Sequence, residues 1–189
     1  YITGYLYGAP SLKPDPQTRY WCKIWHVITH GKTPLGAVNY NNLSIGEPFR
    51  FFYPANNVAV YDHQASDPEL YRSARLVFLS GKLISPECMA SLERLVEQQG
   101  LTVVTPSHLA PAGMQGQNAT PYALVEKGKG RWIVTDDVTQ ESVVSLLQPY
   151  LGKPGELRYV FGETEVVFTS PHPAEPVRVT TRTLKGRKS

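Results

Sequence analysis

Hydrophobic positions follow two different rhythms along the chain. Between residues 18 and 30, Tyr20, Trp21, Ile24, Trp25, Val27 and Ile28 recur at helical spacing. Pro14-Asp15-Pro16 supplies an entry and Gly31 a stop, so the spacing predicts a helix over 18–30. Residues 35–40 read as a short strand, and a loop rich in Asn, Gly and Pro follows. From residue 58 short apolar runs alternate with amphipathic stretches. Strands are expected over 58–62, 74–79, 101–105 and 131–135.

Between the second and third of these runs, Ser85 is an N-cap with Pro86 at the first helical position and Glu87 in the first turn. Cys88, Met89, Leu92, Leu95 and Val96 share one helical face, and Gly100 ends it. A strand–helix–strand unit of this kind pairs its strands in parallel with a right-handed crossover. Residues 106–130 are rich in Pro, Gly, Gln and Asn, and read as a long loop with one helical turn near 122–124. After the fourth strand, Thr139 or Asp137 caps a helix whose apolar set is Val143, Val144, Leu147, Tyr150 and Leu151, ended by Gly152 and Pro154. Residues 157–161 and 165–169 then form a β-hairpin about Gly162-Glu163-Thr164, and 176–183 adds an edge strand.

Composition sharpens this division. The 189 residues are 41% hydrophobic and 11% aromatic, which excludes general disorder. No run approaches the roughly 18 apolar residues of a membrane-spanning helix, so no membrane partner is expected. Tyr, not Met, stands first, as in a processed chain or a piece of a longer one. Residues 1–57 hold 11 aromatics, including Trp21, Trp25, Phe49, Phe51 and Phe52, on little regular structure. That imbalance predicts a segment whose rings bury against another domain or subunit. The formal net charge of +3 comes from Arg178, Arg182, Lys185, Arg187 and Lys188 at the C-terminus. Their expected state is a solvated tail, and nucleic acid is not an expected partner. Cys22 and Cys88 make no disulfide framework.

Ligands of open parallel sheets sit beyond the carboxyl ends of the strands. Those ends offer Asp62, His63, His108, Asp136 and Asp137 as acid–base candidates. His26 and His30 stand four apart, the spacing of two metal ligands on one helix face, but no third ligand lies nearby and no metal is expected. Gly128-Lys129-Gly130 precedes a strand rather than opening a helix, so it is no phosphate loop. No cofactor is expected. Cys88 reads as a core thiol.

Leu70-Tyr71, residues 74–79, Ile84-Ser85-Pro86-Glu87, residues 92–100 with Gln99-Gly100, and residues 101–106 together resemble the class I glutamine-amidotransferase-like domain. Several glycoside hydrolases carry that domain as a non-catalytic module, among them the trimerisation domain of one β-galactosidase family. The resemblance covers residues 58–151. It implies an α/β fold with an open, mostly parallel sheet and flanking helices, flavodoxin- or amidotransferase-like, here with a C-terminal β-hairpin extension. Where a true amidotransferase places its nucleophilic Cys, this chain reads Thr105-Pro106-Ser107-His108-Leu109, without Cys or a Gly-x-Ser-x-Gly elbow.

The organisation implied is an aromatic-rich segment over 1–57, an amidotransferase-like domain over 58–152, and a β-rich extension with a basic tail over 153–189. In such hydrolases the module follows a (β/α)8 barrel. Residues 1–57 would then hold the barrel's last elements or a linker docked on it. That makes Asn39, Tyr40, Asn41 and Glu47 candidates at a sugar site, with Tyr40, Phe51 and Tyr53 stacking on sugar faces. The expected function is a non-catalytic, oligomer-forming module of a carbohydrate-active enzyme, meeting carbohydrate through a parent catalytic domain. The alternative is a free-standing hydrolase with its acid–base site at the sheet rim.

Overall fold

The computed structural model describes residues 16–31, 58–115, 121–170 and 176–184. Its centre is a four-stranded sheet of β1 (Leu76–Phe78), β2 (Thr102–Thr105), β3 (Ala123–Lys127) and β4 (Gly130–Val134), in the order β1-β2-β4-β3. β1, β2 and β4 are parallel, and β3 closes the edge antiparallel to β4. Among the described residues three helices flank it: α1 (Pro16–Ile28), α2 (Pro86–Gln99) and α3 (Glu141–Leu147). The fold is therefore α/β with a mostly parallel sheet.

β2 and β4 are covered on both faces, as parallel strands require. Val103, Trp132 and Val134 point into a cluster with Cys88, Leu92, Leu95 and Val96 of α2. Val104 and Ile133 point the opposite way, into a cluster with Tyr20, Ile24, Val27 and Ile28 of α1 and Val143 and Leu147 of α3. Where the sequence suggested another domain as the cover of the first helix, the helix packs on this chain's own sheet, with Trp21 and Trp25 partly buried. Its apolar stripe covers this chain's own sheet, Trp25 packs against the same cluster, and Trp21 meets Trp25 edge to face at 5.7 Å. Phe49, Phe51 and Phe52 lie outside the described residues.

The local signals around α2 act as read. Ser85 Oγ accepts from the Cys88 amide at 3.1 Å, and Gly100 ends the helix with φ of 80°. Tyr150 fastens the amino-terminal side of the sheet. Its hydroxyl meets Thr102 Oγ1 at 2.7 Å and takes a bond from Arg131 at 3.0 Å, and Arg75 and Arg131 lie over its ring. α3 begins at Glu141, later than expected, and closes in a 3-10 turn over Gln148–Tyr150. Asp137 caps the turn ahead of it, accepting from the Thr139 amide and hydroxyl.

Two expectations fail in the connections. Residues 58–62 are not a strand: among the described residues no strand pairs with them, and Val58 and Val60 are about half exposed. Residues 122–124 are not helical but enter β3, so the expected long loop ends in a hairpin with β4. Its two-residue turn, Gly128-Lys129, tucks under the end of α2, with the Lys129 amide donating to the Glu97 carbonyl at 2.9 Å. A Cβ on Gly128 would stand 2.3 Å from Glu97 O, and one on Gly130 2.3 Å from Leu101 O. These glycines serve close backbone approach, not phosphate.

The hairpin of β5 (Glu156–Phe161) and β6 (Thr164–Thr169) is extended by β7 (Arg178–Thr183) into a separate antiparallel sheet, ordered β5-β6-β7. Register splits its faces. Leu157, Tyr159, Phe161, Phe168 and Val179 share one, with the Tyr159 and Phe161 rings stacked at 6.1 Å. Glu165 centres the other, bonded to Arg182 and to Arg158, which also pairs with Glu156. The edge strand expected over 176–183 is β7, exposed along its whole length, so the start of the basic tail is both paired and solvated. Among the described residues no helix is long and apolar enough to cross a membrane.

Two measurements check this arrangement. Ile24→Ala should lower the free energy of unfolding by about 2–5 kcal/mol, the range for an aliphatic truncated in a packed core; urea titration followed by tryptophan fluorescence reads it. If α1 were covered by something other than this sheet, the isolated chain would be nearly indifferent to the change. The second concerns acid. The Arg182 bond, then Arg158, holds Glu165 below the usual carboxylate range against a smaller opposing effect of desolvation. A depressed folded pKa contributes stability above the unfolded value of about 4.3 and loses it as pH falls through the folded value. Acidification should therefore loosen β5–β7 at a higher pH in Arg182→Ala than in the parent, followed by amide NMR of Val166–Phe168.

Candidate functional site

The parallel strands β1, β2 and β4 end on one rim, which the fold class marks as the place for a ligand. β1 runs on to Gly81, β2 to Pro106, Ser107 and His108, and β4 to Asp136. The amino-terminal half of α1 lies over this rim and supplies Gln17, Arg19, Tyr20 and Lys23. Together they enclose an open cleft of about 310 Å³ lined by Gly81, Pro106, His108, Asp136 and these α1 residues. The volume is at the low end of the usual small-ligand range of roughly 300–1,000 Å³.

Its polar groups are mostly held in place. Asp136 accepts from the Ser107 amide and from the Ser107 hydroxyl, each at 2.9 Å. His108 donates from Nε2 to the Gly81 carbonyl at 2.9 Å, which leaves Nδ1 as the acceptor of the neutral ring. Gly81 reaches that position with φ of 116°, a conformation that favours glycine. Lys23 bonds Asp137 at 2.8 Å and ties α1 to the segment after β4. Partial burial opposes ionisation of Asp137, but the bonds from Lys23 and Thr139 outweigh it and hold the carboxyl below its usual range.

Tyr20 is the exception. It is 6% exposed, it lines the cleft, and its hydroxyl has no hydrogen-bond partner among the described residues. Burial first, then the nearby Asp136 and Asp137 carboxylates, pushes its pKa well up, so the phenol keeps its proton. A buried polar group without a partner costs roughly 1–3 kcal/mol. Trp132 Nε1 is a second such group, inside the α2-side core and away from the cleft lining.

Of the residues singled out in the sequence, His108 and Asp136 meet in this cleft. Asp137 is adjacent but turned to Lys23 and Thr139. Asp62 and His63 do not join them. Asp62 caps a turn by accepting from the Gln64 amide at 2.8 Å, and His63 is exposed in that turn, its carbonyl bonded to the Ser85 amide. The paired-histidine geometry is also corrected. His30 lies past the end of α1 with φ of 52°, and its Nε2 donates to the Gly152 carbonyl at 2.7 Å, so it shares no helix face with His26. Among the described residues no group of three or more His, Cys, Asp or Glu could hold a metal. Asn39, Tyr40, Asn41, Glu47, Phe51 and Tyr53 lie outside the described residues.

Sequence reasoning missed Tyr20, Arg19 and Lys23 as cleft residues. The available signal was Arg19 and Lys23 one helical turn apart, flanking Tyr20 at the edge of the apolar stripe. It also missed Ser107 as the partner of Asp136.

Chemically, the cleft holds a serine, a histidine and an aspartate, but no relay. In a serine hydrolase the imidazole stands between nucleophile and acid. Here Ser107 bonds Asp136 directly, and His108 is engaged with a backbone carbonyl. Cys88, the thiol nearest the resembling motif, is buried in α2, and burial pushes its pKa up, the opposite of activation. No family model, curated protein or solved structure matches the chain.

Removing the Tyr20 hydroxyl deletes a desolvation cost and no bond. Tyr20→Phe should therefore leave thermal stability unchanged or raise it by up to about 1–3 kcal/mol. A clear loss in differential scanning calorimetry would mean that the hydroxyl is bonded in solution.

Proposed function

We propose that this chain is a non-catalytic, amidotransferase-like module of a carbohydrate-active enzyme, with a flavodoxin-like sheet and a cleft at the strand ends that binds rather than transforms. The observation that carries this is the Ser107–Asp136 pair at the end of β2. The position at which an amidotransferase would present an activated cysteine holds a serine whose hydroxyl donates to the Asp136 carboxylate, with no imidazole between them. The strand–helix order and the Ser85-Pro86-Glu87 phrase support the family likeness. A role in assembly, with a barrel domain or further subunits as partners, belongs to the same reading. It is favoured by the apolar face of β5–β7, where Phe161 is 65% exposed.

A second reading has one observation in its favour, since His108 and Asp136 line the same cleft. In it, the chain is a hydrolase whose acid–base pair tightens around substrate.

Turnover separates the two. The protein is incubated with L-glutamine, a nitrophenyl ester and a panel of nitrophenyl glycosides, beside Ser107→Ala and His108→Ala. The binding-module reading expects no release above buffer from any of the three proteins. Release by the parent that is lost in His108→Ala would replace it with the hydrolase.

A further inference from the structure

We infer that the open edge of β7 is a docking edge for an acidic strand. The occupant is an extended segment of a partner protein, alternating acidic and apolar residues, that pairs with Val179, Thr181 and Thr183 and continues the β5–β7 sheet. The inference rests on the reading of this sheet as an assembly surface and names the chemistry of the partner. It takes nothing from the cleft.

The main chain argues first. The Leu184 amide donates to the Glu163 carbonyl at 2.7 Å, just beyond the Thr164–Thr183 pair. Hydrogen-bonded and unbonded pairs alternate along an antiparallel ladder. Arg178, Thr180 and Arg182 therefore turn their main-chain groups to β6, and Val179, Thr181 and Thr183 turn theirs outward. Among the described residues no strand lies on that side, and β7 is exposed throughout. Its register runs unbroken from Arg178 to Thr183, without proline, glycine or bulge. Proteins usually blunt a long edge with such devices or with charge, and β7 has charge alone.

That charge selects the partner. Arg178 and Arg182 share one face of the sheet. Arg182 lies opposite Glu165 and is bonded to it. Arg178 lies opposite Thr169, and the acid in its row, Glu156, stands on β5 and is paired with Arg158. Arg178 thus has no carboxylate partner among the described residues, and its open side is the side a further strand would occupy. On the other face Val179 is more than half exposed, as is Val177 just ahead of the strand. An added strand with acids beside the arginines and apolar residues beside Val179 meets both faces at once, since opposite charges across strands attract and like charges repel.

The same rule disfavours a second copy. Antiparallel pairing of β7 with itself about Thr180 sets Arg178 against Arg182, and pairing about Arg182 sets that residue against itself. The arginines therefore act as a repulsive element against self-pairing and an attractive one toward an acidic strand, the combination that makes an interface specific. A nucleic-acid backbone is a poorer match, because the outward carbonyls of β7 need donors at strand spacing and phosphates only accept.

The test is an amide NMR titration of the whole chain with a blocked peptide of roughly six residues, the usual strand length, alternating Glu and Val. Comparison probes are the same peptide with Lys for Glu, the Glu–Val peptide N-methylated at alternate amides, and a single-stranded oligonucleotide. The expected result is saturable shifts and slowed hydrogen exchange at Val179, Thr181 and Thr183 with the Glu–Val peptide alone. Arg178→Glu should weaken it about ten-fold, as attraction becomes repulsion. Thr181→Pro removes an outward donor and leaves the bonds to β6, a placement that edge strands tolerate. It should weaken the peptide by at least about ten-fold while the amide shifts of Val166–Phe168 show the sheet intact.

No saturable response to the Glu–Val peptide overturns the inference. So does equal binding of the Lys or N-methylated peptide, tighter binding of the oligonucleotide at the same amides, or peptide binding that Arg178→Glu and Thr181→Pro leave unchanged. Failure of the assembly reading is read separately, by light scattering. A chain whose copies associate through Phe161, and separate in Phe161→Ser, while ignoring the acidic peptide refutes this inference alone.

Discussion

Burial of β2 and β4 on both faces governs the rest of the structure. Val103, Trp132 and Val134 face one way, Val104 and Ile133 the other, and none of the five is accessible to water. Each such side chain contributes roughly 1.5–3 kcal/mol only if something covers it. α2 covers the first set. The second needs α1 and α3 together, because α3 is only seven residues long. This demand draws the N-terminal helix onto the sheet. Its amino-terminal half then overhangs the strand ends, and the cleft is a consequence of that position. Core packing and candidate site are two results of one docking event.

The cleft shows how a polar rim is held together by its own hydrogen bonds. Asp136, Ser107, His108 and Gly81 satisfy one another, and Lys23 with Asp137 pins the helix that closes the space. Preorganised groups of this kind suit recognition, since little ordering remains to be done on binding. In a Ser-His-Asp relay the imidazole stands between nucleophile and acid; here Ser107 meets the Asp136 carboxylate directly and the His108 imidazole is bonded to Gly81. Among the described cleft residues the Tyr20 hydroxyl is the buried polar group left without a partner, where the helix meets the rim.

Much of the fold was legible in the sequence, for identifiable reasons. α2 carries redundant local signals in Ser85, Pro86 and Gly100, and the continuous apolar runs of β2 and β4 admit few other readings. The failures are where local pattern lacks a partner or hides one. Residues 58–62 have strand-forming side chains but, among the described residues, no neighbouring strand to bond. β3 was hidden because Ala123–Lys127 alternates only weakly, and Gly128-Lys129-Gly130, rightly excluded as a phosphate loop, was not recognised as a hairpin turn needing close approach to Glu97. The helix of residues 18–30 was found, but not what it covers, since periodicity identifies an apolar face and not its partner. At the site, strand ends led to His108 and Asp136. Tyr20, Arg19 and Lys23 come from a distant part of the chain, and only docking brings them there.

Native-state hydrogen exchange on the whole chain tests that docking most directly. If α1 is an integral layer of the sheet, the amides of Ile24, Val27 and Ile28 should exchange only through the same opening that exposes Val104 and Ile133, with equal free energies and equal dependence on denaturant. Exchange of the α1 amides through a separate, low-energy opening, while Val104 and Ile133 stay protected, would contradict it. The helix would then be an appendage, and the cleft beneath it would not persist.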